Sequence, residues 1–375
     1  MRLSPVILTV SMLAPATLPA QDTALVARAR AIHQRVLTLD THVDINPGNF
    51  TREKSYATRL PTQVNIPMME EGGLDAAFLI VFVGQSQDFT PAGYAKARAA
   101  AMEKFAAIHR LTAELASDRV ELARSADDVR RIHAAGKKAI LIGIENGYPL
   151  GEDLANVQAF AEAGGRYLSL AHNGHSQLSD SNTGEKDNVW KWGGLSPLGR
   201  KVVPELNRWG IMVDVSHPSK QSMMQTVAMS RAPIIASHSA IRSLCDHSRN
   251  MDDEQLRALA RNGGVIQVVA FSSYLKCKVP GDSATPRASV RDLADHIDYA
   301  VKLIGIDHVG IASDFDGGGG VEGWSNATET GNVTLELVRR GYSEEQIGKL
   351  WSGNLLRVLG EVEKVGKKMR GEKTS

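Results

Sequence analysis

From residue 36 onward, short apolar and β-branched runs alternate with longer stretches whose apolar residues recur at helical spacing. Eight runs carry the strand pattern: residues 36–44, 75–84, 139–145, 166–172, 211–217, 233–238, 264–271 and 308–314. Between them, residues 95–115, 154–163, 198–209, 220–229, 253–260 and 290–304 read as amphipathic helices. Ser219 and Asp252 stand where two of these helices need caps, and the pairs Gly164-Gly165 and Gly263-Gly264 stop two others. Strands alternating with helices build parallel βα units, and eight strands with intervening helices predict a (β/α)8 TIM barrel. No Gly/Ser/Pro-rich linker and no fixed-period repeat divides the chain, so residues 21–375 are expected to form one domain. Residues 173–194 break the alternation. This segment is long, polar and carries Trp190 and Trp192, the composition of a loop that covers a site at a barrel mouth.

The first twenty residues follow another pattern. Arg2 is followed by an apolar run, Val6 to Leu13, and by a small-residue exit, Ala14 to Ala20. That order predicts a signal peptide over 1–20 and an exported protein, periplasmic or secreted. The apolar run is shorter than the roughly 20 residues a spanning helix needs. The charged end, Lys367 to Ser375, lacks the apolar tail of a lipid-anchor signal, so no membrane anchor is expected. With 43 basic against 42 acidic side chains there is no surplus of charge to attract nucleic acid. Cys245 and Cys277 are the two cysteines, and in an exported chain an isolated pair favours a disulfide.

Polar residues fall at the carboxyl ends of the runs. His42 and Asp44 close the first, Glu145 the third, His172 the fourth, His217 the fifth, His238 the sixth and Asp314 the eighth. In a barrel these ends face one mouth, so the seven side chains converge despite their separation in sequence. A lone histidine is more often structural; seven equivalent positions argue for a site. Imidazole together with carboxylate suits Zn²⁺ and related divalent ions. Two ions are expected: His42 and Asp44, two residues apart on one strand, suit one, and His217 with His238 suit the other. Glu145, with two oxygens, is suited to bridge them and to share a water that ionises near neutral pH. Asp314 then takes the proton-transfer role, Asp316 braces its turn, Asp40 supports a ligand, and Asp214 is structural.

The motifs around these residues resemble the membrane (renal) dipeptidase family of the amidohydrolase superfamily, from about Val36 to about Leu359. They are Asp40-Thr-His-Val-Asp44, Gly143-Ile-Glu-Asn146, Arg166-Tyr-Leu-Ser-Leu-Ala-His172, Gly194-Leu-Ser-Pro-Leu-Gly199, Asp214-Val-Ser-His217, Ser237-His-Ser239, Ser248-Arg-Asn250, Asp314-Phe-Asp-Gly317 and Gly353-Asn-Leu-Leu-Arg357. The resemblance implies two zinc ions on His42, Asp44, Glu145, His217 and His238. It also implies a substrate-contacting His172, an Arg249 that receives the substrate carboxylate, an acid/base Asp314 and a substrate-lining Tyr274. It places a disulfide where Cys245 and Cys277 stand, and homodimers are common in the family. Val43 stands where many members have asparagine, and the 173–194 loop departs from the mammalian pattern, which leaves side-chain preference open.

The function expected is hydrolysis of dipeptides with a free C-terminal carboxylate, with tolerance of D-residues there as the resemblance implies. Removal of N-acyl groups from amino acids on the same frame, a metal-dependent peptide-binding barrel without chemistry, and phosphoester hydrolysis are the alternatives. The carboxylate fork offered by Arg249 speaks against the last.

Overall fold

In the computed structural model, which describes residues 20–278 and 286–373, nine parallel strands form one sheet. They are β1 (Leu39–Asp44), β2 (Ala76–Phe82), β3 (Val120–Leu122), β4 (Lys138–Glu145), β5 (Gly165–Ser169), β6 (Met212–Asp214), β7 (Ile235–Ser239), β8 (Val265–Val269) and β9 (Val309–Ala312). Their order is β1-β2-β4-β5-β6-β7-β8-β9, with β3 attached to the start of β4. The ring closes between its ends: Val43 pairs with Phe315, and the Asp44 amide donates to the Phe315 carbonyl at 2.9 Å. The eight barrel strands are those expected from the apolar runs. The extra strand, β3, is only three residues long and carries too little pattern to be read from sequence.

Both faces of these strands are covered, which is why they read as continuous apolar runs. Along β2, Ala76, Phe78 and Ile80 pack with Leu39, Leu141, Tyr167 and Met212, whereas Ala77, Leu79 and Val81 pack in the cluster that holds Phe105 and Ile108 of the following helix. Phe78 meets Tyr167 with ring centres 5.2 Å apart, although β4 separates their strands. The first set therefore fills the barrel interior and the second seals the helices to its outside.

The helices start where caps allow. Ser219 accepts from the Ser222 amide at the start of Lys220–Met229, and Asp252 with Gln255 forms a capping box on Asp253–Arg261. The expected helix over 95–115 begins earlier, at Pro91, because Thr90 caps it and proline suits the first turn. Cys245 and Cys277 are disulfide-bonded, joining the segments after β7 and β8. Residues 1–19, most of the expected signal peptide, lie outside the described residues. No helix among the described residues is long and apolar enough to cross a membrane.

Candidate metal centre

Three of the side chains expected at strand ends lie beyond them. β5 stops at Ser169, β6 at Asp214 and β9 at Ala312, so His172, His217 and Asp314 stand on the loops two or three residues later. The barrel curves its loops inward, and all nine sequence-derived site residues still meet. Asp44, Glu145, His172, His217, His238, Arg249, Tyr274 and Asp314 line one cavity of about 410 Å³, and buried His42 borders it through Asp44, Glu145 and Asp314. Backbone turns at the mouth are held in the left-handed region at Asn146, Asp314 and Asp316, a conformation that a non-glycine residue keeps only when its surroundings enforce it.

Glu145 is the centre of the arrangement. One carboxylate oxygen lies 3.0 Å from His217 Nε2, 3.4 Å from His238 Nε2 and 3.7 Å from His172 Nε2. The other lies 3.6 Å from His42 Nε2, which is also 3.6 Å from Asp44 and 3.8 Å from Asp314. Potential ligand atoms fall into three overlapping groups: His42, Glu145 and His238; Glu145, His172 and His217; and His42, Asp44 and Asp314. His172 and Asp314, expected to face substrate, thus stand within ligating reach as well.

Hydrogen bonds fix which nitrogen each ring presents. Tyr167 donates its hydroxyl to the Thr41 carbonyl at 3.1 Å and therefore accepts from His42 Nδ1 at 2.9 Å. Ser237 donates to Asp214 at 2.9 Å and accepts from His238 Nδ1 at 2.8 Å. Both rings are left with a bare Nε2 turned toward Glu145. Neither role was read from the sequence, although a tyrosine inside a buried strand needs a partner for its hydroxyl, and that was the available signal. Asp214 is structural as expected: it is fully buried and also accepts from Ser169 and from the Ser237 amide. Asp40 accepts from the amides of His42 and Ser313, tying β1 to the segment after β9.

A cation fits these groups. His42 Nε2 and His217 Nδ1 are buried without a hydrogen-bond partner, and the Nε2 atoms of His217 and His238 face each other at 3.1 Å. Three imidazole nitrogens and a shared carboxylate thus crowd one buried space. Nitrogen and oxygen donors of this kind suit first-row divalent ions.

Electrostatics follow from burial and this crowding. Burial resists a charged His42, yet the Glu145 and Asp44 carboxylates raise its pKa well above the usual value. Burial and Arg249 hold His217 well below it, and burial with His42 does the same to His238. Burial pushes Asp314 up to about 8, with Asp44 and Glu145 adding to the rise and His42 opposing it.

Arg249 is buried beside the second pair. It donates to the Ser216 and His238 carbonyls and lies 3.1 Å from His217 Nε2. Tyr274 stacks on Phe271 with ring centres 4.2 Å apart and holds its face 5.4 Å from the guanidinium carbon. The 173–194 loop supplies Asn173 to the cavity wall. Its return is gathered by buried Asp180, which accepts from the amides of Lys191, Trp192 and Gly194 at 2.8–3.1 Å.

Residues 26–373 match the membrane dipeptidase family, peptidase family M19. "Dipeptidase tcpJ" of Claviceps purpurea is 36% identical over 317 residues, covering 83% of this chain and 72% of that protein. "Dipeptidase 3" of Rattus norvegicus is 35% identical over 332 residues, covering 88% of this chain and 62% of that protein. Among solved structures, the probable dipeptidase PvdM from Pseudomonas aeruginosa is 34% identical with a TM-score of 0.85, covering 92% of this chain and 99% of that one.

Proposed function

This chain belongs to the membrane dipeptidase family of metallopeptidases, and from that premise we propose a zinc-dependent dipeptidase that requires a free C-terminal carboxylate on its substrate. The placement of Glu145 carries the reading: one oxygen faces the nitrogens of His217 and His238 and the other that of His42, beside a cavity that also holds a buried arginine.

His42, Asp44 and Glu145 would hold one zinc ion, and Glu145, His217 and His238 a second. Bound there, the pair supplies Lewis acidity and a hydroxide nucleophile near neutral pH. The remaining groups position the substrate. Arg249 binds the carboxylate with its fork, and Tyr274 walls that end of the cavity. His172 donates a hydrogen bond to the oxygen that gains charge as the carbonyl is attacked. Asp314 passes a proton to the leaving amine. Tolerance of a D-residue at the C-terminal position, export by residues 1–20, a single domain over residues 21–375 and assembly as a homodimer complete the reading.

Metal analysis joined to a panel of L,L and L,D dipeptides and N-acyl amino acids tests it. Dipeptides of both kinds are expected to turn over and N-acyl amino acids are not. Glu145→Gln is expected to lose metal, and Asp314→Asn to keep metal with kcat lowered about 10²- to 10⁴-fold. Metal and activity near normal in both variants would overturn the assignment.

A further inference from the structure

Beside the metal cavity lies a second one, of about 390 Å³, to which no role has been given. Asp44, Phe82 and Asp316 line both, so the two adjoin. Two basic side chains reach the second cavity. Lys104, on the helix after β2, and Lys54, on the loop after β1, both line it. The Lys104 ammonium stands 5.6 Å from the centre of the Phe82 ring, and no hydrogen-bond or ion-pair partner holds it among the described residues. The acidic residues of the shared wall are engaged elsewhere: Asp44 faces His42, and Asp316 accepts from the amides of Gln63 and Val64.

Topology decides which part of a substrate reaches this place. Counted around the barrel, β2 is the second strand and β7 the sixth, so the segments that follow them lie across the mouth from each other. Arg249 follows β7; Lys104 and Phe82 belong to β2 and its helix. A dipeptide held by its carboxylate on Arg249, with its reacting carbonyl at Glu145, therefore directs its other residue toward β1 and β2. That is where the second cavity opens.

We infer that the second cavity receives the side chain of the N-terminal residue and that Lys104 makes it prefer an acidic one, so that favoured substrates begin with glutamate or aspartate. This rests on the dipeptidase reading. An acidic side chain gives the half-buried ammonium a charge-assisted partner. A neutral side chain leaves it unpaired, and a basic one brings like charges together where solvent screening is reduced. The expected order is acidic, then neutral, then basic.

The rival role for Lys104 is to offset the carboxylate charge of the metal centre, which would touch every substrate alike. Glutamyl-alanine, alanyl-alanine and lysyl-alanine separate the two. In Lys104→Met the ratio of kcat/KM for glutamyl-alanine over alanyl-alanine should fall about 10- to 100-fold, chiefly through KM. In Lys104→Glu the ratio for lysyl-alanine over alanyl-alanine should rise, a gain that a merely damaged fold does not produce. Ratios that stay at the wild-type values in both variants overturn the inference and leave the dipeptidase reading intact. Failure of the wild-type protein to cleave any of the three dipeptides overturns the dipeptidase reading, and the inference with it.

Discussion

Tyr167 and Ser237 carry no metal-ligating role, yet each turns a histidine of the centre. Because Tyr167 spends its proton on Thr41, it can only accept from His42, and the ring must present Nε2 to the carboxylates. Tyr167→Phe would leave a buried N–H without a partner and free the ring to rotate. Metal affinity is expected to fall about 10- to 100-fold with the fold retained, as read by competition with a chelating dye beside circular dichroism. Unchanged affinity would show that packing alone holds His42. Gly317 acts by what it lacks. A β-carbon there would lie 2.3 Å from Asp44 Oδ2 and 2.5 Å from Asp314 Oδ1, closer than atoms can approach. Gly317→Ala is therefore expected to displace both carboxylates, with metal stoichiometry below that of wild type and activity reduced about 100-fold or more. Elemental analysis and initial rates check this.

At the scale of elements, the barrel strands were legible because parallel strands buried on both faces must be apolar throughout, and the helices between them show their spacing and caps. The strand ends were less so. Where β5, β6 and β9 stop depends on ladder bonds to neighbouring strands, and sequence holds no trace of those partners, so His172, His217 and Asp314 were placed on strands instead of loops. Arg249, eleven residues past His238, became visible only through its family motif. Lys104 was invisible as a site residue, since a lysine on an amphipathic helix ordinarily faces solvent. The loops themselves are tied to the helices, and this gives a pH dependence. His296 accepts from the Ile241 amide at 3.0 Å through Nδ1, leaving Nε2 to donate to the Leu275 carbonyl at 3.1 Å. Burial lowers its pKa below the usual value. A depressed folded pKa means that the unfolded chain takes up the proton first as pH falls. The stabilisation is complete above the ordinary histidine value, about 6.5, and is lost as pH drops through the lower folded one. Urea denaturation from pH 8 to 5 should show stability falling toward acid, and His296→Gln should flatten part of that slope. Parallel profiles for the two proteins would remove His296 as a contributor.

For the molecule as a whole, the candidate metal centre draws on six of the eight barrel strands or the loops that follow them. β1, β4 and β7, with the loops after β5, β6 and β9, send charged or polar groups into one buried space, and several of those groups lack partners there. Ions bound by the folded state and not by the unfolded chain stabilise by mass action, about 4 kcal/mol when free metal stands a thousandfold above its dissociation constant. Chelation should therefore lower the melting temperature as well as abolish turnover, and added zinc should restore both in parallel. The disulfide between Cys245 and Cys277 acts on a different part of the mouth, closing the segment that carries Arg249 against the segment after β8. It does not depend on metal, so the chelated protein should keep this corner ordered while the ends of β1 and β4 loosen. Hydrogen exchange resolves the two regions. Faster exchange at Asp44 to Asn46 and Glu145 to Gly147 on chelation, with residues 245–251 unchanged, is the expected pattern. Equal protection with and without chelator, in protein shown to have lost its metal, would mean that hydrogen bonds and packing alone set the geometry of the mouth.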